Sequence, residues 1–257
     1  MLELEFSTAY ADTYGTGPHL VLFIHGWSCQ RSDWEDSISA ILNTEFATAF
    51  QLIAVDLPGH GDNTATAWSD WSIAALGKWI SDIVAHQNAE LTTLIGHSMG
   101  GTVALEAARW IPNLTQVVLV DTFGLPYGDM DEATIASIEI PFQQDFVSSM
   151  HYLVDTTTAS GIAPDTREWI KARMSSADAS KMLPLWSDLL RWSPEAAFAD
   201  ISAPILAING EHISDVAKAR CAQKVRSTVL SGCHHFPQFE QPGLFNATLL
   251  NVLQKQI

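Results

Sequence analysis

A chain of 257 residues, 47% of them hydrophobic, is long enough for one large domain around a sizeable core. Its 13 Lys and Arg stand against 29 Asp and Glu, a formal net charge of −16 with no basic cluster, so a nucleic-acid partner is not expected. The longest apolar runs, such as 20–24, fall far short of the roughly 20 residues a membrane-spanning helix needs, which excludes an integral helical membrane protein.

Met1-Leu2-Glu3-Leu4-Glu5 has neither a basic nor an apolar stretch, so no secretory signal is read and a cytoplasmic location is expected. Spacing then predicts a strand over 20–24, a helix over 34–42, a strand over 52–55 and an amphipathic helix over 73–85. A strand over 91–95 leads into an Ala-rich helix over 99–110 that Pro112 stops, and a strand over 117–120 ends at Asp121. From about 122 to about 199 helical patterns run without a convincing strand, which reads as an inserted helical cap. Pro204 then leads into a strand over 205–208, followed by a helix near 216–224, a strand over 228–230 and a helix over 244–253. Strands alternating with helices imply an α/β fold, a mostly parallel central sheet flanked by helices. Residues 1–121 and 200–257 form the two parts of its core, and 122–199 form the insertion.

The segment 91–101 carries the strongest chemical signal: a strand, then Gly96-His97-Ser98-Met99-Gly100, then a helix. In such a nucleophile elbow the serine sits on a strained strand-to-helix turn, and only small residues fit two places before and after it. Gly96 and Gly100 meet that need, and the N–H of Met99, opening a helix, can donate to an oxyanion. His25-Gly26-Trp27 ends another strand, where Gly26 lets the backbone turn so that the Trp27 N–H can supply a second oxyanion donor, while His25 can equally serve only to bond the loop.

Across nearly its whole length the sequence resembles the α/β-hydrolase family, on His25-Gly26-Trp27, on 96–101, and on His235-Phe236-Pro237 with Glu240-Gln241-Pro242. Asp56-Leu57-Pro58-Gly59-His60-Gly61 is similar to the family's turn after an early strand, and Asp56 and His60 are read as structural ties within it. The resemblance implies a serine hydrolase, and the His-Phe-Pro-x-x-Glu-x-Pro pattern selects His235 over the adjacent His234 as general base. An imidazole in that role needs a carboxylate on its other nitrogen to fix the tautomer.

Three acids compete for that role. The family's usual Gly-x-x-Asp falls on Gly210-Glu211-His212-Ile213, so Ile213 stands where the acid belongs. Asp215 serves if the loop is two residues longer, and Glu211 lies close to the strand end. Asp121, at the end of the strand next to the nucleophile's, reaches the same space and is the preferred acid, with Asp215 as the alternative.

The expected reaction is cleavage of a small-molecule ester or lactone through an acyl-enzyme, with no cofactor and no metal. Cys29, Cys221 and Cys233 are odd in number and without C-x-x-C spacing, so reduced thiols are expected. His97, His151 and His212 show no ligand spacing either. Relatives with a carboxylate in the earlier position include cofactor-independent dioxygenases acting on heteroaromatic substrates, the rival function; a noncatalytic ligand-binding homologue is a third. Phe142, Phe146, Trp169, Trp186 and Trp192 are candidates for an apolar acyl pocket, or simply pack the insertion onto the core.

Overall fold

The computed structural model describes residues 9–64 and 67–256, so the Met1–Glu5 reading lies outside the described residues. Seven strands form one sheet: β1 (Ala11–Tyr14), β2 (His19–Ile24), β3 (Phe50–Val55), β4 (Leu91–His97), β5 (Leu114–Val120), β6 (Ile205–Asn209) and β7 (Val225–Val229). Their order is β1-β3-β2-β4-β5-β6-β7, with β1 antiparallel to β3 and all other pairs parallel.

Every residue of β2 is buried, because helices cover both faces of the sheet. Leu20, Leu22 and Ile24 point to one face and Val21 and Phe23 to the other, following the two-residue period of a strand. The first face is covered by α2 (Ile73–His86) and α3 (Met99–Ala108), through residues such as Leu76, Ile80 and Val103. The second is covered by α1 (Glu35–Leu42) and the last helix, through Ile38, Ile41, Phe245 and Leu249.

Between β5 and β6 run five helices: α4 (Glu132–Gln144), α5 (Phe146–Thr157), α6 (Pro164–Ser175), α7 (Ala179–Arg191) and α8 (Glu195–Asp200). Asp131, Asp145 and Asp178 cap three of them, each carboxylate accepting from a backbone N–H two or three residues on. The chain closes with α9 (Asp215–Cys221), the short α10 (Pro237–Glu240) and α11 (Pro242–Gln254). No helix of the described residues is long and apolar enough to cross a membrane.

The order of the sheet also fixes where a site can form. From β2 the chain moves one way to β3, then crosses back over β2 to β4, so a crevice opens at the carboxyl ends of β2 and β4. Register pairs Ile24 with Gly96 and His97 with Val120, which sets the residues following β2, β4 and β5 side by side at that edge.

Candidate active site

Ser98 stands between β4 and α3 at φ 52°, ψ −121°, a conformation that costs an L-residue about 1–3 kcal/mol. Its neighbours hold it there: the Ser98 N–H donates to Val120 O at 2.9 Å, and the Gly101 N–H donates back to Ser98 O at 2.9 Å. The flanking glycines are needed for close approach. A Cβ on Gly96 would lie 2.2 Å from Gly100 O, and one on Gly100 would lie 2.3 Å from Ile24 O, well inside contact distance.

Asp121 follows β5, is 3% exposed, and has φ 45°, a left-handed conformation that Asp tolerates better than most residues. Its Oδ1 accepts from the Gly210 N–H at 2.8 Å, and its Oδ2 accepts from His235 Nδ1–H at 2.7 Å. A carboxylate can only accept, so this bond puts the imidazole proton on Nδ1 and leaves Nε2 as an acceptor. Nε2 lies 3.0 Å from Ser98 Oγ and can accept the hydroxyl's proton. Ser98, His235 and Asp121 thus form one hydrogen-bonded chain.

The rival acids are elsewhere. Asp215 opens α9 with its side chain fully exposed and its nearest cation Lys218 at 3.4 Å. Glu211 accepts from Ser231 Oγ at 2.9 Å and from the Gly232 N–H at 3.1 Å, out in solvent. Ile213, at the usual acid position, is buried instead. The expected ties in the early turn are present: Asp56 accepts from the N–H groups of Arg31 and Asp62, and from the Arg31 guanidinium as well, while His60 Nδ1–H donates to Pro58 O at 3.1 Å.

His97 was expected only to lack ligand spacing, yet it supports the main chain of His235. Fully buried beside Ser98, it donates Nε2–H to the His235 carbonyl at 2.8 Å, and burial drives its pKa down to about 3. It is therefore neutral, so it adds no cationic charge next to His235. Trp27 and Met99 are both buried, and Met99 heads α3, where its N–H has no acceptor within the helix.

A cavity of about 170 Å³ opens on Ser98 and His235. Apolar side chains line most of it, Trp27, Leu125, Ile138, Phe142, Leu153, Met174, Trp186 and Phe236 among them, and no Lys, Arg, Asp or Glu does. Trp27 stacks on Trp186 with ring centroids 4.4 Å apart and donates its indole N–H to Met182 O at 3.0 Å. Of the five aromatics read from the sequence, Phe142 and Trp186 reach the cavity. Phe146 packs edge-on against Trp27, Trp169 stacks beneath Arg173, and Trp192 donates to Glu106 Oε1 at 2.8 Å. Tyr127 lines the wall with its phenol pKa pushed up by burial. Cys29 lines it too, but burial raises its thiol to about 11, so it is no competing nucleophile near neutral pH. All three cysteines are free, and no group of three or more His, Cys, Asp or Glu among the described residues is arranged to hold a metal ion.

Residues 21–248 match the model of the Alpha/beta hydrolase family. A pimeloyl-[acyl-carrier protein] methyl ester esterase of Nitrosomonas europaea is 25% identical, over 93% of this chain and 97% of its own length. An uncharacterized protein of Mycobacterium tuberculosis is 33% identical over 112 residues, but that match takes in 43% of this chain and only 31% of the relative. Among solved structures, an esterase from Exiguobacterium antarcticum superposes with a TM-score of 0.80 at 17% identity, over 95% of each chain. An N-acyl homoserine lactone degrading enzyme does so with a TM-score of 0.78 at 21% identity, over 94% of this chain and 95% of its own. At those identities the structural likeness is one of fold.

Proposed function

The chain belongs to the alpha/beta hydrolase family, and on that footing we propose that it is a carboxylic ester hydrolase working through an acyl-enzyme on Ser98. The observation that carries the proposal is the hydrogen-bonded chain from Asp121 through His235 to Ser98, open to an apolar cavity. In this reading His235 Nε2 takes the Ser98 proton as Oγ attacks the ester carbonyl, and Asp121 stabilises the imidazolium that forms. The N–H groups of Trp27 and Met99 stabilise the tetrahedral oxyanion, an effect typically worth about 3–4 kcal/mol per donor. His235 then returns the proton to the leaving alkoxide, and water repeats the cycle on the acyl-enzyme.

The cavity sets the acyl group. An engineered apolar cavity of about 150 Å³ holds benzene, so this one suits a benzoyl or a four- to six-carbon aliphatic acyl group. With no charged side chain on its wall, an ionised acyl group would lose its hydration without compensation. The helices from residue 122 to 199 act in this reading as the cap that closes the cavity over the sheet.

Incubation with a fluorophosphonate and turnover of p-nitrophenyl butyrate test the proposal together. Labelling of Ser98 and turnover are both expected. Labelling without turnover of any ester would overturn the hydrolase reading and favour a ligand-binding or oxygenase role for the same pocket.

A further inference from the structure

The main chain of His235 is gripped from two directions. Its carbonyl accepts from His97, as described, and its N–H donates to the carbonyl of Thr157, the last residue of α5, at 2.9 Å. Beside it the His234 N–H donates to Glu240 Oε2 at 2.5 Å, while the other oxygen of Glu240 accepts from the Ala159 N–H at 2.8 Å. One carboxylate therefore joins the loop that bears His235 to the stretch just after α5. Arg167 on α6 braces that stretch from outside, with Nη2–H donating to Ala159 O at 2.9 Å and Nε–H to Thr158 Oγ1 at 3.0 Å. Leu153 and Thr157 of the same helix end form part of the cavity wall.

The chemistry of the bridge selects its residue. Two converging N–H groups need a side chain with two acceptor oxygens and no donor, which an ionised Glu supplies and Gln does not, because its NH2 would face one of the donors. Charge also strengthens both bonds. Glu240 does not line the cavity and touches neither Ser98 nor the imidazole, so any influence on the reaction passes through the backbone.

We propose that Glu240 is a positioning residue for His235, locking the base loop to the end of α5 so that base and cavity wall keep one register. This rests on His235 being the general base. Misplacing a reacting group by 1 Å costs on the order of a hundredfold in rate, and the bridge limits that freedom for the imidazole between Asp121 and Ser98. Substrate filling the cavity presses on Leu153 and Thr157, so the same link lets a well-fitting acyl group steady the base.

The test compares wild type, Glu240→Ala, Glu240→Gln, Arg167→Ala and the double variant Glu240→Ala/Arg167→Ala. For each, melting temperature, kcat and KM for p-nitrophenyl butyrate, the fluorophosphonate labelling rate, and amide hydrogen exchange over 153–160 and 232–236 are measured. Glu240→Ala should lower kcat and labelling roughly ten- to a hundredfold, leave KM within about twofold, and speed exchange in both segments. Glu240→Gln should fall between. Arg167→Ala should act in the same direction, and the double variant should lose less than the product of the singles, because both act on one link. The proposal is overturned if the loss in Glu240→Ala only tracks the unfolded fraction, if exchange rises in 232–236 alone, or if the two substitutions are independent. Exchange does not depend on ester turnover. A wild type without esterase activity would therefore end the functional reading while exchange still decides whether Glu240 couples the two segments.

Discussion

Ser98 keeps a positive φ whether or not it reacts, so its substitutions separate strain from chemistry. Ser98→Ala should lower ester turnover by several orders of magnitude with a melting curve close to wild type. Ser98→Gly should be equally inert yet more stable than the Ala variant by about 1 kcal/mol, because glycine adopts φ > 0 without penalty. Chemical denaturation of the two variants checks this, and an Ala variant at least as stable would show that the elbow is unstrained. Asp121→Asn keeps the volume, the tolerance for φ 45° and an oxygen for the Gly210 N–H, but presents its amide to His235 Nδ1 and favours the wrong tautomer. We expect kcat to fall about a thousandfold or more, whereas Asp215→Asn, fully exposed, should leave it nearly unchanged. Normal turnover by Asp121→Asn would remove it from the reaction. Much of this geometry was legible in the sequence, since Gly96-His97-Ser98-Met99-Gly100 and Val118-Leu119-Val120-Asp121 each end an apolar strand. The hydrogen bonds of His97 and Glu240 were not. Glu240 belongs to the His-Phe-Pro-x-x-Glu-x-Pro pattern, but its partner Ala159 carries no signal, because a backbone N–H looks the same in every sequence.

Among the elements, central strands announce themselves and edge strands do not. β2, β4 and β5 are apolar runs because both faces of the sheet are covered, and they were read within three residues at either end. β1, Ala11-Asp12-Thr13-Tyr14, is a partly exposed antiparallel edge with little apolar pattern, and it was not read at all. At the other edge β7 begins at Val225, three residues before the strand read over 228–230. Arg226, Ser227 and Thr228 are exposed and are held by pairing with β6. Leu230, counted in that strand, instead turns inward and donates its N–H to Asn209 O at 2.8 Å. The elbow gives a prediction at this scale. Gly100→Ala would force its Cβ against the carbonyls of Ile24 and His25, at 2.3 and 2.4 Å, so α3 must shift away from β2. Overpacking of this kind costs about 1–3 kcal/mol. Melting temperature and turnover should fall together, and a fully active, equally stable variant would show that β2 and α3 are not tightly apposed.

The molecule as a whole should lose stability in mild acid. His25, His60 and His97 are 0–3% exposed, and burial lowers each to a pKa of about 3. The unfolded chain binds protons at these positions below about pH 6.5 while the folded chain does not, so stability is highest above 6.5 and falls as pH drops toward 3. One unit below 6.5 each histidine costs about 1.4 kcal/mol, roughly 4 kcal/mol for the three, before the carboxylates behind the −16 charge begin to neutralise. Calorimetry between pH 7.5 and 5.5 should record a falling melting temperature, with a shallower slope in His97→Gln. A flat profile would mean that these rings take up protons without unfolding.

The hydrogen-bonded chain at the sheet edge joins residues 137 positions apart between Ser98 and His235, and 114 apart between His235 and Asp121. Synthesis proceeds at about 5–20 residues per second, and a domain generally folds as a unit. The serine thus emerges many seconds ahead of the imidazole that would activate it. A nascent chain that holds β2, β4 and β5 but ends before His235 lacks both part of the cavity wall and the group that, on the proposed reading, takes the serine's proton. On the proposed reading, reactivity therefore waits until translation has passed β7 and the loop that carries His235 to Ser98.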